Sequence, residues 1–522
     1  MGRTFGAITA TRGIQTVAFW LNPPYRGAFV EAPIRKVVMQ TPTPSATIGL
    51  ATHLPIVVDL DGTLVLSDTL HETAAIALFR NPLGLARSLS TLSKGRHALK
   101  AALAKEVDVT EEILPLREDL VKWLREKAEE GHELHLCSAA DQTIVDKVSQ
   151  RVGIFASATG SALTNLKGKA KAQYLSERFP DGFIYAGDHA VDIPVWQASE
   201  GIVLAGVKEQ VARRAKALGK PVLKEFHSPS LTPKEFMKAI RVHHWTKNVL
   251  MFVPLILAHE WSNVSTIVQT LLAFCCLLGV TSATYLLNDI ADLNADRQHW
   301  SKRSRALASG RLSIRSGFII AGCLLLGGFA VAIMLSLKFA VALLAYLLIT
   351  GSYSLGLKRV PLLDTLIIGV LFTTRLIMGT TLLENQRPAW LLTFALFFFF
   401  SLATAKRHTE IVRAASSGAA SLKSRGYELE DAALTLALGV GAAIASLVVF
   451  MIFVLQELTP GFAYSRPELL SGISVMLSIW LGRIWLLSHR GQMNDDPVSF
   501  AIRDRVSIGL GIVVGLLFLV AL

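Results

Sequence analysis

Asn288-Asp289-Ile290-Ala291-Asp292-Leu293-Asn294-Ala295-Asp296-Arg297 directly follows an apolar run, Thr266 to Leu287. That run is long enough to cross a bilayer at the roughly 20 residues a spanning helix needs. Carboxylates at the end of a membrane helix are costly to strip of water, so their presence there points to a task. If the helix continues, Asp289, Asp292 and Asp296 stand at i, i+3 and i+7 on one face. Three stacked acids repel one another unless a cation sits between them. Mg²⁺ suits the set because it takes one or two carboxylates plus substrate phosphates. The plain alternative is a solvated acidic helix cap. Lys302, Arg303, Arg305 and Arg311 follow within one loop, so acids and bases stand together as a metal–diphosphate site requires.

The rest of the chain divides in two around this segment. At 522 residues it exceeds one compact domain. Hydrophobic residues make up 52%, concentrated after about residue 250, and the part before that reads as soluble. The net charge of +12 sits mainly in loops between apolar runs, which suits membrane lipid headgroups and positive-inside topology. No basic-aromatic patch argues for nucleic acid. Cys137, Cys275, Cys276 and Cys323 have neither zinc-ligand nor disulfide-framework spacing. Residues 1–52 lack periodicity and a signal-peptide core, and read as flexible or over-extended, with Met39 an alternative start.

In the soluble half, Ile56-Val57-Val58 reads as a buried parallel strand ending in Asp59-Leu60-Asp61-Gly62-Thr63-Leu64. His135-Leu136-Cys137-Ser138 ends a second strand, after a helix expected from Leu116 to Glu130. Lys167 opens a helical stretch, and Phe183-Ile184-Tyr185-Ala186 is a third strand leading into Gly187-Asp188-His189-Ala190-Val191-Asp192. Carboxylates at the carboxyl ends of such strands lie where open α/β sheets bind ligands. Singly each motif is weak, since Asp-Gly is most often a turn. In this order the four resemble the haloacid dehalogenase superfamily of phosphatases. That resemblance implies Asp59 as nucleophile, Asp61 as general acid and base, Ser138 on a phosphoryl oxygen and Lys167 as the neutralising lysine, with Lys169 and Lys171 as rivals. It implies Mg²⁺ held by Asp59, Asp188 and Asp192, in a Rossmann-like α/β domain over 53–225. The helical insert, about 68–114, suits a small cap.

An amphipathic linker, 226–247, leads to nine apolar runs centred near residues 254, 277, 324, 347, 371, 395, 445, 477 and 514. The first is short and holds Pro254 and His259. Alternate connections carry roughly 16 Lys and Arg residues against Lys338, Arg387 and Arg466 in the others. The positive-inside rule then places the soluble half and the aspartate segment in the cytoplasm, and the carboxyl end outside an inner, cytoplasmic membrane. The basic, aromatic stretch Arg241-Val242-His243-His244-Trp245-Thr246-Lys247-Asn248 precedes the first run. Tyr353, Lys358 and Lys406, Arg407 and Glu410 line later corners, and Asp495-Asp496-Pro497 follows. Asp364 and Arg375, eleven apart, share a helix face inside one run, and ionisable residues there favour function.

Nine helices with this aspartate segment resemble the UbiA superfamily of intramembrane prenyltransferases over roughly 236–522. The resemblance implies that Asn288, Asp289, Asp292 and Asp296 bind Mg²⁺ and a diphosphate. Where typical members carry a second aspartate pair, this chain has Tyr353-Ser354, Leu357-Lys358 and a lone Asp364. With Trp245-Thr246-Lys247-Asn248 and the Lys302-to-Ala308 loop, that variant looks like the decaprenyl-phosphate phosphoribosyltransferase branch. Phosphoribosyl diphosphate is then the donor and polyprenyl phosphate the acceptor, with Lys247, Lys302, Arg303, Arg305, Tyr353, Lys358, Asp364, Arg375, Lys406 and Arg407 as substrate-binding candidates. Two other readings stand beside it. One is prenyl transfer from a prenyl diphosphate to an aromatic or other small acceptor; the other is a transporter or lipid-binding module whose acids line a wet cavity.

Overall fold

The computed structural model describes residues 54–106, 114–161, 166–383, 389–416, 421–422, 425–457, 464–493 and 497–521. The expectations for 1–52, Arg387, Asp495 and Asp496 lie outside them.

The strands Ile56–Val58 (β1), Leu134–Asp141 (β2), Ser157–Ser161 (β3), Ile184–Gly187 (β4), Gly201–Ala205 (β5) and Val222–Phe226 (β6) form one parallel sheet. Their order is β3-β2-β1-β4-β5-β6. Side chains alternate across a strand, so Ile56 and Val58 enter one core layer and Val57 the other. Strand order reverses between β1 and β4, the switch point at which such sheets bind ligands.

The segment after β1 forms three helices, Thr69–Arg80 (α1), Pro82–Ser90 (α2) and Arg96–Glu106 (α3). Glu118–Glu129 (α4), Gln142–Val152 (α5), Lys169–Arg178 (α6), Ile193–Ala198 (α7) and Glu209–Lys216 (α8) complete the α/β part. Beyond β6, Pro233–Ala239 (α9) opens on a capping box, in which Thr232 and Glu235 satisfy each other's backbone N–H groups.

The chain then enters a helical bundle. A short helix, Val253–Leu257 (α10), precedes Val264–Ala291 (α11) and Leu293–Gln298 (α12). Ile314–Leu335 (α13), Leu337–Leu355 (α14), Leu363–Thr380 (α15), Ala389–Ser416 (α16), Asp431–Glu457 (α17) and Leu470–His489 (α18) follow, then Pro497–Arg503 (α19) and Arg505–Ala521 (α20). Among the described residues seven helices are long and apolar enough to cross a membrane, making this a multi-pass membrane protein. Large apolar side chains such as Leu326, Met334 and Leu348 face outward, as lipid-facing residues do.

The expected count of nine is therefore corrected. An eighth helix, α20, has 17 residues. The run near residue 254 is not one continuous helix: Val242–Phe252 winds as a 3₁₀ stretch, α10 lasts 5 residues, and His259 turns the chain at φ 58°. Pro254 removes a backbone donor, and a non-glycine residue in the left-handed region marks a turn.

Candidate active sites

The first site sits at the carboxyl ends of β1, β2 and β4. Asp59 follows β1 and Asp188 follows β4, on adjacent strands. Asp59, Asp188 and Asp192 bring carboxylate oxygens within 4.8 Å of one another, the one such acid, histidine or cysteine group among the described residues. Burial pushes the Asp188 carboxyl well above its usual range, with Asp59 and Asp192 adding to it. Burial and then Asp59 raise Asp192 in the same direction. Buried acids that repel one another are a donor set that a divalent cation fits. Asp192 is also held by the backbone N–H groups of Asp188 (3.2 Å) and His189 (3.0 Å) and by the Tyr185 hydroxyl (3.1 Å).

Asp61 accepts from the Thr69 amide at the start of α1 (2.8 Å), and burial, reinforced by Asp68, raises its carboxyl to about 6. A carboxyl there can both give and take a proton near neutrality. Ser138 is buried in β2, its hydroxyl accepting from the Ala140 amide at 3.2 Å. Lys100 of α3 reaches the adjacent Ala139 carbonyl at 2.9 Å, so the helical insert covers this edge. Gly62 has φ 76°, and a Cβ there would strike the Asp188 carboxylate. Only glycine lets the turn close this tightly on the acids.

The structure corrects the lysine. Lys167 precedes α6 and is exposed, as is Lys169. Lys171, in the first turn of α6, is buried and donates to Asp59 Oδ1 at 2.9 Å and to the Tyr185 hydroxyl at 3.0 Å. Its ammonium is pulled down by burial but raised on balance, chiefly by Asp59 and then Asp192. Lys171→Met is expected to remove phosphomonoester hydrolysis by on the order of 10² or more, while Lys167→Met leaves it within twofold, as steady-state rates on a small phosphomonoester will show.

The second site is the aspartate segment. Its helix does not continue: α11 ends at Ala291, and Asp292 (φ −96°, ψ 11°) caps it before α12 begins. The expected three-acid ladder therefore splits. Asp292 accepts from the Asn288 amide side chain at 3.1 Å. Asp289 and Asp296, both buried, are bridged by Arg305, whose Nη1 donates to Asp289 Oδ1 (3.2 Å) and Asp296 Oδ2 (2.5 Å). Lys302 Nζ stands 3.9 Å from Asp296, and Arg303 is exposed. Arg241 donates to Asp289 Oδ1 at 2.8 Å, with its guanidinium over the Tyr285 ring. Arg241 has φ 59°, a turn that swings the chain after α9 back across the helix end. It was legible in sequence only as part of a basic, aromatic stretch. The cation between two of the acids is thus a guanidinium, a group that also binds diphosphate oxygens in a fork.

The remaining candidates fall into two further groups. Asp364 does not pair with Arg375. It is fully buried against Arg407, whose Nη2 lies 2.8 Å from Asp364 Oδ2, and it accepts from the Tyr427 hydroxyl at 2.6 Å. Arg407 also pairs with Glu410, and Lys406 is half-buried beside it. Arg375 instead donates to Asn248 Oδ1 (2.8 Å), the Tyr346 hydroxyl (3.1 Å) and the Leu371 carbonyl (2.6 Å). A shared helix face does not make a pair when other elements offer nearer partners. Tyr353 accepts from Arg425 at 2.7 Å, while Lys358 and Lys247 are half-buried on 3₁₀ turns.

Residues 249–504 match the UbiA prenyltransferase family, and residues 56–197 match haloacid dehalogenase-like hydrolases. The uncharacterized protein y4nM of Sinorhizobium fredii is 42% identical over 470 residues, 90% of this chain and 91% of that protein. Nodulation protein NoeC of Azorhizobium caulinodans is 33% identical over 288 residues, 54% of this chain and 92% of that protein. Decaprenyl-phosphate phosphoribosyltransferase of Mycolicibacterium smegmatis is 29% identical over 194 residues, 36% of this chain and 60% of that enzyme.

Proposed function

Because the chain belongs to the UbiA prenyltransferase family and carries a haloacid dehalogenase-like hydrolase domain ahead of that part, we propose that it makes a lipid-linked ribose in two steps. The bundle transfers 5-phosphoribose from phosphoribosyl diphosphate to polyprenyl phosphate, and the α/β domain removes the 5-phosphate. The observation that carries this reading is the lone buried Asp364, paired with Arg407 and Tyr427. At that corner Asp364 and Glu410 share Arg407, and among the described residues there is no second aspartate pair free to hold metal. The likeness to a decaprenyl-phosphate phosphoribosyltransferase supports the same choice.

In the transfer, a polyprenyl phosphate oxygen attacks the anomeric carbon, the bond from that carbon to the diphosphate breaks, and diphosphate leaves. The attacking group is already an anion and needs no strong base. Asp289, Asp292 and Asp296 would hold Mg²⁺, which supplies charge neutralisation at the leaving group. Arg305, Arg241 and Lys302 exchange carboxylate partners for diphosphate oxygens. Apolar helix walls hold the lipid tail. In the hydrolysis, Asp59 attacks the 5-phosphorus and Asp61 protonates the departing ribose oxygen. Water, deprotonated by Asp61, then releases phosphate from the aspartyl-phosphate. Lys171 and Ser138 hold the phosphoryl oxygens, and Asp59, Asp188 and Asp192 would hold Mg²⁺, which would offset the charge of carboxylate meeting phosphate. On the positive-inside pattern both sites lie in the cytoplasm.

Mass spectrometry of lipids co-purifying with the protein tests this. The reading expects polyprenyl phosphate or its pentose adduct; prenyl diphosphates with a prenylated small acceptor would overturn it in favour of prenyl transfer. A second expectation concerns the cation. Metal-free protein given Mg²⁺ at about a hundred times its dissociation constant gains roughly 2.7 kcal/mol, read as a rise in unfolding midpoint. Asp192→Asn removes much of that rise, and a midpoint with the same response in both proteins contradicts the phosphatase cation site.

A further inference from the structure

Helix α1 belongs to the phosphatase-like half, yet its inner face is buried in the membrane half. Ala75 packs in one cluster with Ala283, Leu286, Ile290, Leu307 and Ile314. In the first turn of α1, Glu72 forms a two-pronged pair with Arg297: Nη2 donates to Oε1 at 2.6 Å and Nη1 to Oε2 at 3.1 Å. Both side chains are almost fully buried, at 2% and 5% exposure. Arg297 directly follows Asp296, and its Nε donates to the Ala308 carbonyl at 3.0 Å. It therefore ties three things together: the cap helix, the aspartate segment, and the loop that carries Lys302, Arg303 and Arg305.

The same loop is gripped elsewhere from the soluble side. Gly310 (φ 75°) lies so close that an added Cβ would stand 2.7 Å from Leu66 Cβ. Arg311 pairs with Glu235 of α9. Ala306, Leu307, Ala308 and Leu312 are buried beneath these contacts. The loop's cations thus sit on a platform that both halves of the chain build. At its amino end α1 also donates the Thr69 amide to Asp61, so one helix touches the machinery of each site.

We propose that Glu72 is a positioning residue of the transferase site: through Arg297, the phosphatase cap holds the cationic loop at the spacing that receives a diphosphate. A buried two-pronged pair fixes orientation as well as distance, and groups that orient first ligands are each worth about 10–100-fold in affinity or activity. The inference rests on the aspartate segment being a diphosphate site.

The test uses the full chain in detergent. Calorimetry measures binding of Mg²⁺ with inorganic diphosphate, and deuterium exchange follows residues 299–312. Glu72→Gln is expected to weaken diphosphate binding about tenfold, with faster exchange across the loop. The exchanged pair Glu72→Arg with Arg297→Glu is expected to restore part of both. If transfer is assayed, KM for the donor rises more than kcat falls, which a merely stabilising contact would not produce. Glu72→Gln protein with parental affinity and parental loop exchange overturns the proposal. A parent that binds no diphosphate overturns the site reading instead, and loop exchange then still decides whether Glu72 orders the loop. Should Glu72→Gln fail to fold, the exchanged pair alone decides: restored binding supports the proposal, and a folded pair with a disordered loop overturns it.

Discussion

Asp289→Ala is expected to remove lipid transfer by on the order of 10³ in kcat/KM, since neutralising charge at a leaving group is worth several kcal/mol. The expectation follows from what shares this carboxylate. Its Oδ1 accepts from both Arg241 and Arg305, and it is buried at the end of α11. Alanine therefore deletes the proposed metal ligand and at once leaves two guanidinium groups short of a partner. Hydrolysis of a small phosphomonoester at the other site should survive, which separates the local loss from unfolding. Equal transfer in the variant would contradict the role given to this carboxylate.

Asp59→Asn is expected to abolish phosphatase turnover by about 10⁴ or more, the scale seen when a nucleophile is removed, while leaving transfer intact. Asparagine keeps the shape and can still accept from Lys171, which now reaches Asp59 Oδ1 at 2.9 Å. It cannot form an aspartyl-phosphate. The 5-phosphorylated lipid should therefore accumulate where the parent protein yields the dephosphorylated form. Its absence from the lipid extract, with transfer otherwise running, would mean that the two sites do not act in sequence.

Much of the architecture was legible because each chemical motif in the α/β half follows a short apolar strand. A strand's period and its acidic turn are both local. Ile56–Val58 and its Asp59–Asp61 turn needed no tertiary information, nor did the helical insert. The lysine was different. Lys167, Lys169 and Lys171 stand two residues apart, and only the start of α6 sets which one turns inward toward Asp59. One residue of helix phase decides that, and composition does not encode it.

The membrane half was legible by length and apolarity but not in its polar pairings. The run holding Pro254 had the residues of a short span, but it winds as short 3₁₀ and α turns that end at His259, not as one helix. Asp364 and Arg375 sit on one helix, yet Asp364 takes Arg407 from α16 and Tyr427 from beyond it. The aspartate ladder broke at Asp292, where a helix end allowed Asn288 to bond back. The link between Glu72 and Arg297 spans 225 residues. No periodicity reports such a pair; it exists because the fold buries both charges together and each then requires the other.

We propose that the diphosphate received beside Asp289 and Asp296 is carried by ribose. Purified full-length protein would be incubated with polyprenyl phosphate, Mg²⁺ and phosphoribosyl diphosphate labelled in the ribose carbons, and the organic phase counted and weighed by mass spectrometry. The expected product is labelled lipid whose mass is polyprenyl-phosphoryl-ribose, without the 5-phosphate. Label that stays entirely in water, beside prenylation of a small acceptor from a prenyl diphosphate, would contradict it.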